Sequence, residues 1–345
     1  MVTVLSFLGY APNAANMRIS FVGKGGSGKS TLCALFVQYA RDRGENVVAI
    51  DADLNVHLPR LLGFEKPAAN IHLSGLSATA AIKKHLTGTN GRIVSPAAFR
   101  KSTPPGSGSN LILLEDPSDP ILKSYGTASN GVCLMAVGTY REEDIGASCY
   151  HNDLAIFENV LSHSADDRGL VVADMVAGTD AFASTLHAQF DLTVLVVEPT
   201  WRGIEVYKDY AKLCEHAGCG HALKVIGNKI KTLEDHALIA VHIPEHNILG
   251  YVEHSPYLEQ QDKRWGSINI EDIESDHLKA VEAAYSALKA MTHDPQKRLH
   301  KMWALHRTYV SQGFIKERFG DLTSQIDEKF DFQKATDEQR VCKKN

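Results

Sequence analysis

The sequence predicts an α/β protein built on a doubly wound, mostly parallel sheet. Short apolar strands alternate with amphipathic helices along most of the chain, and the first strand leads through a glycine-rich turn directly into a helix. The chain has 345 residues, of which 44% are apolar and 22% charged, so we expect one large domain or one domain with an extension.

The elements follow one another in the order that such a sheet requires. Helices are identified by apolar residues at helical spacing, and strands by short apolar runs that end in polar residues or glycine. The predicted strands are 19–21, 47–50, 111–114, 131–138, 170–174, 192–197, 223–226 and 248–250, and the predicted helices are 31–43, 153–163, 203–216 and 276–291.

Residues 17–31 are the most informative stretch. They match the pattern G-x-x-x-x-G-K-[ST] at Gly23, Gly28, Lys29 and Ser30, in the strand-then-helix context that the pattern requires. Glycines let backbone N–H groups converge on phosphate oxygens, and the helix N-terminus adds its positive end. Lys29 should reach the β- and γ-phosphates, and the Ser30 hydroxyl should coordinate Mg²⁺.

The loop therefore predicts a site for a nucleoside triphosphate with Mg²⁺, in a P-loop NTPase fold. The residues expected to hold the phosphates are Gly23, Gly25, Gly26, Ser27, Gly28, Lys29, Ser30 and Thr31.

Lys24 makes the pattern more specific. The run Gly-Lys-Gly-Gly-Ser-Gly-Lys-Ser at 23–30 resembles the deviant Walker A motif of the MinD, ParA and nitrogenase iron protein class. The resemblance implies that Lys24 reaches across a dimer interface to the partner's phosphates, so that a homodimer forms with ATP. Charge that develops on the transferred phosphoryl group needs a cation that arrives when the site assembles.

Carboxylates follow two of the predicted strands, where α/β sheets place their ligands. By resemblance to the class, Asp53 would position the attacking water, and Asp51 would support Mg²⁺ or the switch. An aspartate that caps the next helix is the alternative interpretation. Asp174 ends an apolar strand, as a Walker B carboxylate does. The D-x-x-A-G run that follows resembles switch II, in which Gly178 would offer its backbone N–H to the γ-phosphate.

Asn228 follows the strand at 223–226. In the class that the loop resembles, an asparagine here hydrogen-bonds the adenine edge, because its amide offers a donor and an acceptor. The chain lacks the Asn-Lys-x-Asp run of guanine readers, since Lys231 stands at the discriminating position. We therefore expect ATP as the nucleotide.

Within this class, residues 17–291 resemble the CooC-type nickel-insertion ATPases of carbon monoxide dehydrogenase maturation. The resemblance rests on the P-loop, Ile50-Asp-Ala-Asp, Asp174-Met-Val-Ala-Gly, Val197-Glu-Pro-Thr-Trp-Arg, Gly227-Asn-Lys and Leu249-Gly-Tyr-Val. In that family a Cys-x-Cys loop from each of two subunits holds one metal ion at the dimer interface.

This chain has Cys149-x-His151 at the corresponding loop. Thiolate and imidazole both suit Ni²⁺ or Zn²⁺, and two copies across a two-fold axis would supply an S₂N₂ set. The alternative is an interface cysteine beside a surface histidine, in a relative that has abandoned metal transfer.

A second group of ligand-type residues lies between Cys214 and His221, with His216 and Cys219 between them. Glycines at 218 and 220 favour a helix end here, and zinc motifs usually draw their ligands from two separated segments. The helix-end interpretation is therefore preferred.

Bulk composition limits the remaining functions. The net charge of −5 argues against a broad nucleic-acid-binding surface. The sequence has no apolar run of the ~18 residues that a membrane helix needs, and residues 1–16, a flexible leader or a segment before a natural start at Met17, lack a signal-peptide pattern. We expect a cytoplasmic protein whose six cysteines are thiols or metal ligands.

Two segments depart from the alternating pattern. Residues 65–130 carry clusters of Gly, Pro, Ser and Thr, and we expect an insertion over the nucleotide face or a partner surface. Residues 292–345 form a charged C-terminal extension with scattered aromatic residues, expected as one or two helices on the core or on a partner. Its many acidic residues argue against a basic membrane-binding tail.

The sequence therefore predicts a Mg²⁺-dependent ATPase that acts as a dimeric switch, with metal delivery to a client metalloenzyme as the favoured role. Two alternatives stay open. A partition or positioning ATPase would need a basic DNA-facing surface or a membrane helix, and an ATP-gated regulatory adaptor would use the tail to bind a protein partner.

Overall fold

A computed structural model describes residues 17–139, 150–176 and 178–344. The strands are β1 (Met17–Gly23), β2 (Val47–Ala52), β3 (Ile112–Leu113), β4 (Thr127–Ser129), β5 (Val132–Ala136), β6 (Ser164–Ala165), β7 (Leu170–Met175), β8 (Leu192–Val197), β9 (Leu223–Ile230) and β10 (Ile248–Glu253). The helices are α1 (Lys29–Asp42), α2 (Leu58–Leu61), α3 (Leu76–Thr87), α4 (Pro120–Tyr125), α5 (Tyr150–Ser162), α6 (Trp201–His216), α7 (Leu233–His242), α8 (Pro256–Lys263), α9 (Ser275–Lys289), α10 (Pro295–Val310), α11 (Gly313–Phe319) and α12 (Phe332–Lys344).

The main sheet has eight strands in the order β10-β9-β8-β1-β7-β2-β5-β4. Neighbouring strands are parallel, except that β4 runs antiparallel to β5 at the edge. Because β1 lies between β7 and β8, the first strand is central, and later strands lie on both sides of it. The predicted doubly wound, mostly parallel α/β fold is confirmed.

Helices cover both faces of the sheet, and the alternation along β1 shows how the two cores divide. Ile19 and Phe21 face α1 and α9, and the Phe21 ring lies 5.5 Å from that of Phe36. Val22 belongs to the opposite core, with residues of α3, α5 and α6. Strands buried on both faces are expected when crossover helices alternate sides of a parallel sheet.

Several elements differ from the sequence prediction. The helices α2, α3, α4, α7 and α8 and the strand β6 were not predicted. The strand expected at 111–114 pairs with β6 in a separate two-stranded sheet. The edge strand β4 was not predicted, because its three residues are exposed and carry no alternating apolar pattern. Strand β9 continues to Ile230, so Asn228 lies within a strand rather than after it.

The C-terminal region forms three helices, α10 to α12, one more than the upper expectation. It packs against the segment that leads into β3. The apolar residues of this contact are Leu111, Leu113, Ala165, Leu299, Trp303, Ile326, Phe330 and Phe332. Polar contacts reinforce it: Gln339 accepts a hydrogen bond from the Leu111 N–H at 2.8 Å, and Asp327 accepts one from the Ser107 N–H at 3.0 Å. Part of the predicted insertion and the tail therefore share one small core.

A buried ion cluster anchors α10 at the amino ends of the central strands. Arg298 donates to Asp166 at 2.7 Å and to both oxygens of Asp191 at 2.9 Å. Arg18 on β1 donates its side chain to Asp166 and its backbone N–H to Asp191. Although burial raises the pKa of Asp166, the two guanidinium groups lower it to about 2.

Among the described residues, no helix is both long enough and apolar enough to span a bilayer.

We predict that Arg298→Met will lower the free energy of unfolding by about 3–5 kcal/mol, because Asp166 and Asp191 would then share one buried partner charge. Arg307→Met is the matched control, since Arg307 pairs with the exposed Glu328 and should lose about 1 kcal/mol or less. Urea denaturation of both variants measures the difference. Equal, small losses would show that the cluster does not hold the tail.

Candidate functional site

The loop between β1 and α1 has the backbone geometry of a phosphate-binding turn. The Ser27 N–H donates to the Lys24 carbonyl at 3.0 Å, and Gly26 and Gly28 adopt φ values of +84° and +93°. Only glycine adopts such angles at little cost. Helix α1 starts at Lys29, so its unpaired N–H groups point into the loop.

Two residues of β9 brace this loop from the side. Asn228 donates from Nδ2 to the Ser27 carbonyl at 2.7 Å, and its Oδ1 accepts the N–H of Lys229 at 2.9 Å. A Cβ on Gly28 would lie 2.2 Å from Asn228 Nδ2, so the close approach needs glycine. Lys229 Nζ donates to the carbonyl of Gly26 and to Glu198 at 2.7 Å. The adenine contact of Asn228 stays a prediction, because both ends of its amide are engaged here.

Lys229 and Glu198 were not identified from the sequence. Both residues stand in runs that carry the family resemblance, Val197-Glu-Pro-Thr-Trp-Arg and Gly227-Asn-Lys, but those runs do not show that the two side chains meet. Lys229 also has a positive φ of +62°, which the sequence does not reveal.

Lys29 lies among buried carboxylates at the carboxyl ends of β2 and β7. Its Nζ pairs with Asp53 and lies 3.9 Å from Asp174 Oδ1. Burial alone would lower the pKa of Lys29, but Asp174, Asp53 and Asp51 together raise it. The lysine is therefore held as a cation where the motif expects the phosphates.

Asp174 is buried and incompletely satisfied. Among the described residues, no donor meets hydrogen-bond geometry with either carboxylate oxygen, although the Ser30 hydroxyl lies close enough to lower the pKa. Burial outweighs this effect and that of Lys29, and raises the pKa of Asp174 to about 6. A free carboxylate beside the Ser30 hydroxyl is a donor set of hard oxygens, which fits Mg²⁺.

Asp51 makes different contacts from Asp53. Its two oxygens accept the N–H groups of Asp53 at 3.1 Å and of Leu58 at 2.9 Å, the first residue of α2. Burial, followed by the charge of Asp174, raises its pKa well above the usual range. In this structure Asp51 therefore caps α2, which is the alternative interpretation of this aspartate pair. The expected contact of Asp51 with Mg²⁺ stays a prediction.

A cavity of about 630 Å³ opens from the loop. It is lined by side chains within 25–31, 53–61, 228–231 and 253–268, and by His277. This volume lies in the range of small-molecule sites. Among the described residues, none of 65–130 contributes to this lining, so the insertion does not cover this cavity. The alternative, that it covers a partner surface, stays a prediction.

Four further predicted residues have no test of their roles. Lys24 is exposed, as a residue that acts on a partner would be. Gly178 has a φ of +94°, with open space around its Cα. Thr31 is half-buried in the first turn of α1 and lines the cavity. Gly23, at the end of β1, approaches the carbonyl of Val196 so closely that a Cβ would lie 2.8 Å away.

The predicted metal site is only partly in view. Cys149 lies outside the described residues, and His151 lies in the first turn of α5, where only the backbone is described. Within 17–139, 150–176 and 178–344, no three His, Cys, Asp or Glu side chains are grouped to hold a metal ion. Cys214 and Cys219 are buried at the end of α6, where Gly218 has a φ of +66°. The helix-end interpretation therefore fits this segment.

Comparisons with known proteins agree with this geometry. The family model described as "CbiA: CobQ/CobB/MinD/ParA nucleotide binding domain" matches residues 20–298. The carbon monoxide dehydrogenase accessory protein CooC of Rhodospirillum rubrum is 28% identical over 248 residues, 72% of this chain and 87% of that protein. An uncharacterized ATP-binding protein of Methanocaldococcus jannaschii is 27% identical over 248 residues, 71% of this chain and 86% of that protein.

Solved structures share the fold at lower identity. Apo McdA from Cyanthece superimposes with a TM-score of 0.53 at 15% identity, and the match covers 79% of this chain and 99% of that one. The septum site-determining protein MinD from Pyrococcus horikoshii OT3, complexed with Mg-ADP, gives a TM-score of 0.52 at 17% identity, with 79% and 98% covered.

We predict that Gly28→Ala destabilises the protein more than Gly26→Ala. Both substitutions strain a left-handed backbone, by about 1–2 kcal/mol. Only Gly28→Ala also drives a methyl group into Asn228, at a further cost of about 1–3 kcal/mol, because a Cβ on Gly26 meets nothing within 4 Å. Urea denaturation measures both losses.

The double variant Gly28→Ala/Asn228→Ala isolates the clash. It should be more stable than the sum of the two single losses predicts, by at least about 1 kcal/mol. Strict additivity would contradict the close approach of Asn228 to the loop.

Proposed function

Since the chain belongs to the CobQ/CobB/MinD/ParA family of nucleotide-binding domains, we propose that it binds ATP with Mg²⁺ and hydrolyses it as a molecular switch. The observation that carries the proposal is the meeting of Lys29, Asp53 and Asp174 where the cavity meets the loop. A cation, a carboxylate paired with it and a buried carboxylate without a hydrogen-bond donor are groups that phosphoryl transfer can use.

Binding would begin with an exchange of partners at Lys29. Asp53 now holds the ammonium group, and the β- and γ-phosphates would take its place. The Ser30 hydroxyl and Asp174 would hold Mg²⁺, which neutralises charge on the phosphate oxygens when it is bound. Asp53, once released from Lys29, would accept a hydrogen bond from the attacking water and orient it. The Gly178 N–H would donate to the γ-phosphate.

The switch itself would be a homodimer. Lys24 is exposed on the loop, and among the described residues no ion pair of its own holds it in place. A second copy of the chain would bring its Lys24 to the phosphates and complete the charge stabilisation. ATP would therefore favour the dimer, and hydrolysis would release it.

Metal delivery to a client metalloenzyme is the output that we propose for this switch. The similarity to a carbon monoxide dehydrogenase accessory protein supports it, and Cys149 and His151 are the candidate ligands for Ni²⁺ or Zn²⁺. A positioning switch or an ATP-gated adaptor would use the same ATP chemistry without metal.

We predict that Lys24→Ala binds ATP as tightly as the unchanged protein but neither dimerises nor hydrolyses it. Phosphate release by this variant should fall at least about a hundredfold, because Lys24 is expected both to hold the ATP-bound dimer together and to stabilise the charge of the transition state. Lys29→Ala is the comparison, and it should lose ATP binding itself. Fluorescent-nucleotide binding, analytical ultracentrifugation and phosphate release separate these effects. Normal hydrolysis by Lys24→Ala would refute the shared site.

For metal delivery, we predict about half a metal ion per chain in the presence of a non-hydrolysable ATP analogue, because one ion would lie on the dimer axis. Titration with Ni²⁺ and Zn²⁺ should show this stoichiometry, and Cys149→Ala should abolish it. Cys342→Ala is the control, since Cys342 is an exposed thiol of the tail. If the unchanged protein retained no more metal than Cys149→Ala does, metal delivery would be refuted, and an ATP-gated switch without metal would remain.

A further inference from the structure

The cavity extends beyond the phosphate-binding loop, and the part farther from the loop is lined by two other segments. One wall is the segment around α2, with His57 and Arg60, and the facing wall is the segment 253–262. Since the loop accounts for the phosphate chain, this second part of the cavity is the space left for the nucleoside.

Arg60 joins the two walls. Its Nη1 donates to the Gly266 carbonyl at 3.1 Å, and its Nη2 lies 3.2 Å from an oxygen of Asp262. The guanidinium carbon lies 4.3 Å from the ring centroid of Trp265, within the range of a cation–π contact. Gly266 and Asp262 are more than 200 residues from Arg60 in the sequence, and the Arg60 side chain is only 14% exposed between the two walls.

Trp265 occupies an unfavourable position. It follows α8 with a φ of +55°, a conformation that favours glycine, and 66% of it is exposed. Strained residues of this kind cluster at ligand sites, where surrounding contacts hold them. Here the contacts are the Arg60 guanidinium and the His57 ring, whose centroid lies 6.1 Å away.

Two polar atoms on the same wall lack a partner. Arg60 Nε and His57 Nδ1 are both buried without a hydrogen bond in the part of the chain that the structure describes. A buried donor that is left unpaired is costly, so a ligand that supplied an acceptor would be favoured. Burial and the charge of Arg60 lower the pKa of His57, so this ring is neutral near pH 7.

The charge around these atoms indicates which part of a nucleotide they face. Glu253, Glu259 and Asp262 line this end of the cavity, together with Lys231. Asp262 pairs with Arg60 and Glu259 with Lys263, so the charges here are largely balanced. Carboxylates repel phosphate but accept hydrogen bonds from hydroxyl and amino groups. The ligand part that suits this end is therefore neutral, with donors as well as acceptors, as a ribose and a base are.

We propose that Arg60 contacts the nucleoside half of ATP through Nε, and that Trp265 is a positioning residue that holds the Arg60 guanidinium against it. This inference rests on the proposed ATP site and extends it to a second wall. In the nucleotide-bound protein, Arg60 would keep its contacts with the segment that ends α8 while Nε contacts the ligand.

Isothermal titration calorimetry with Mg²⁺ and two probes, ATP and inorganic tripolyphosphate, tests the proposal. Arg60→Gln should weaken ATP binding about tenfold, the effect expected for a hydrogen bond from a charged group. Its affinity for tripolyphosphate should stay within about twofold of the unchanged protein, because that probe has no nucleoside. Arg41→Gln is the matched control, since Arg41 pairs with Asp42 on α1 outside the cavity lining.

Trp265→Gly supplies a second, independent variant. Glycine removes the backbone strain, so this protein should fold at least as stably as the unchanged one in a thermal melt. It should still bind ATP about threefold more weakly, because the cation–π contact to Arg60 is lost.

The outcomes distinguish a failure of the nucleoside assignment from a failure of the proposed ATP site. Equal losses for both probes would make Arg60 a phosphate contact and overturn the nucleoside assignment. Unchanged ATP affinity in both variants would overturn it as well, while leaving the ATP site intact. If the unchanged protein bound neither probe, the proposed function itself would fail.

Discussion

The site depends on one buried lysine among three buried carboxylates. Lys29 is the cation closest to Asp53 and Asp174 at the ends of β2 and β7, and Asp51 lies beneath them as a helix cap. Three acids and one base at low exposure leave an excess of negative charge that is costly without further cations. The raised pKa values of Asp51 and Asp174 are the physical sign of this excess. A site of this kind favours a ligand that brings a divalent cation with its phosphates.

The sheet separates the nucleotide cavity from two additions to the fold, the insertion at 65–130 and the C-terminal extension at 292–345. Strand β1 ends in the phosphate-binding loop, while its second residue, Arg18, belongs to the ion cluster that anchors the tail at the opposite end. The tail and the neighbouring insertion therefore pack away from the cavity. Some contacts of the insertion reach toward the site: Lys101 donates to the Ala183 carbonyl at 2.9 Å, five residues after Gly178. The additions thus touch the segment that follows the predicted switch II without entering the nucleotide cavity.

Local sequence patterns were sufficient where one segment carries all the information. The phosphate-binding loop and Asp174 after a buried strand could be located because strand, turn and helix are contiguous. The pair Asp51 and Asp53 could be located but not told apart, since the helix that Asp51 caps is only four residues long. Arg60 and Trp265 could not be paired, because their contact depends on how α2 and the end of α8 meet in three dimensions. Asn228 was identified as a site residue, but its hydrogen bond to the loop needed the structure.

The position of Arg60 adds a constraint on how the two halves of the cavity act together. Asp53 and Arg60 lie seven residues apart on one short connection after β2, and Asp51 fixes the start of α2 between them through the Leu58 N–H. A nucleotide that displaced Asp53 from Lys29 and engaged Arg60 would bear on both ends of this connection at once. Because α2 is held to its own strand by a buried cap, movement would be concentrated in residues 53–57, where Asn55 is exposed and His57 has an unpartnered ring nitrogen. The same short connection would then sense the phosphates at one end and the nucleoside at the other, which is the coupling that a nucleotide switch requires.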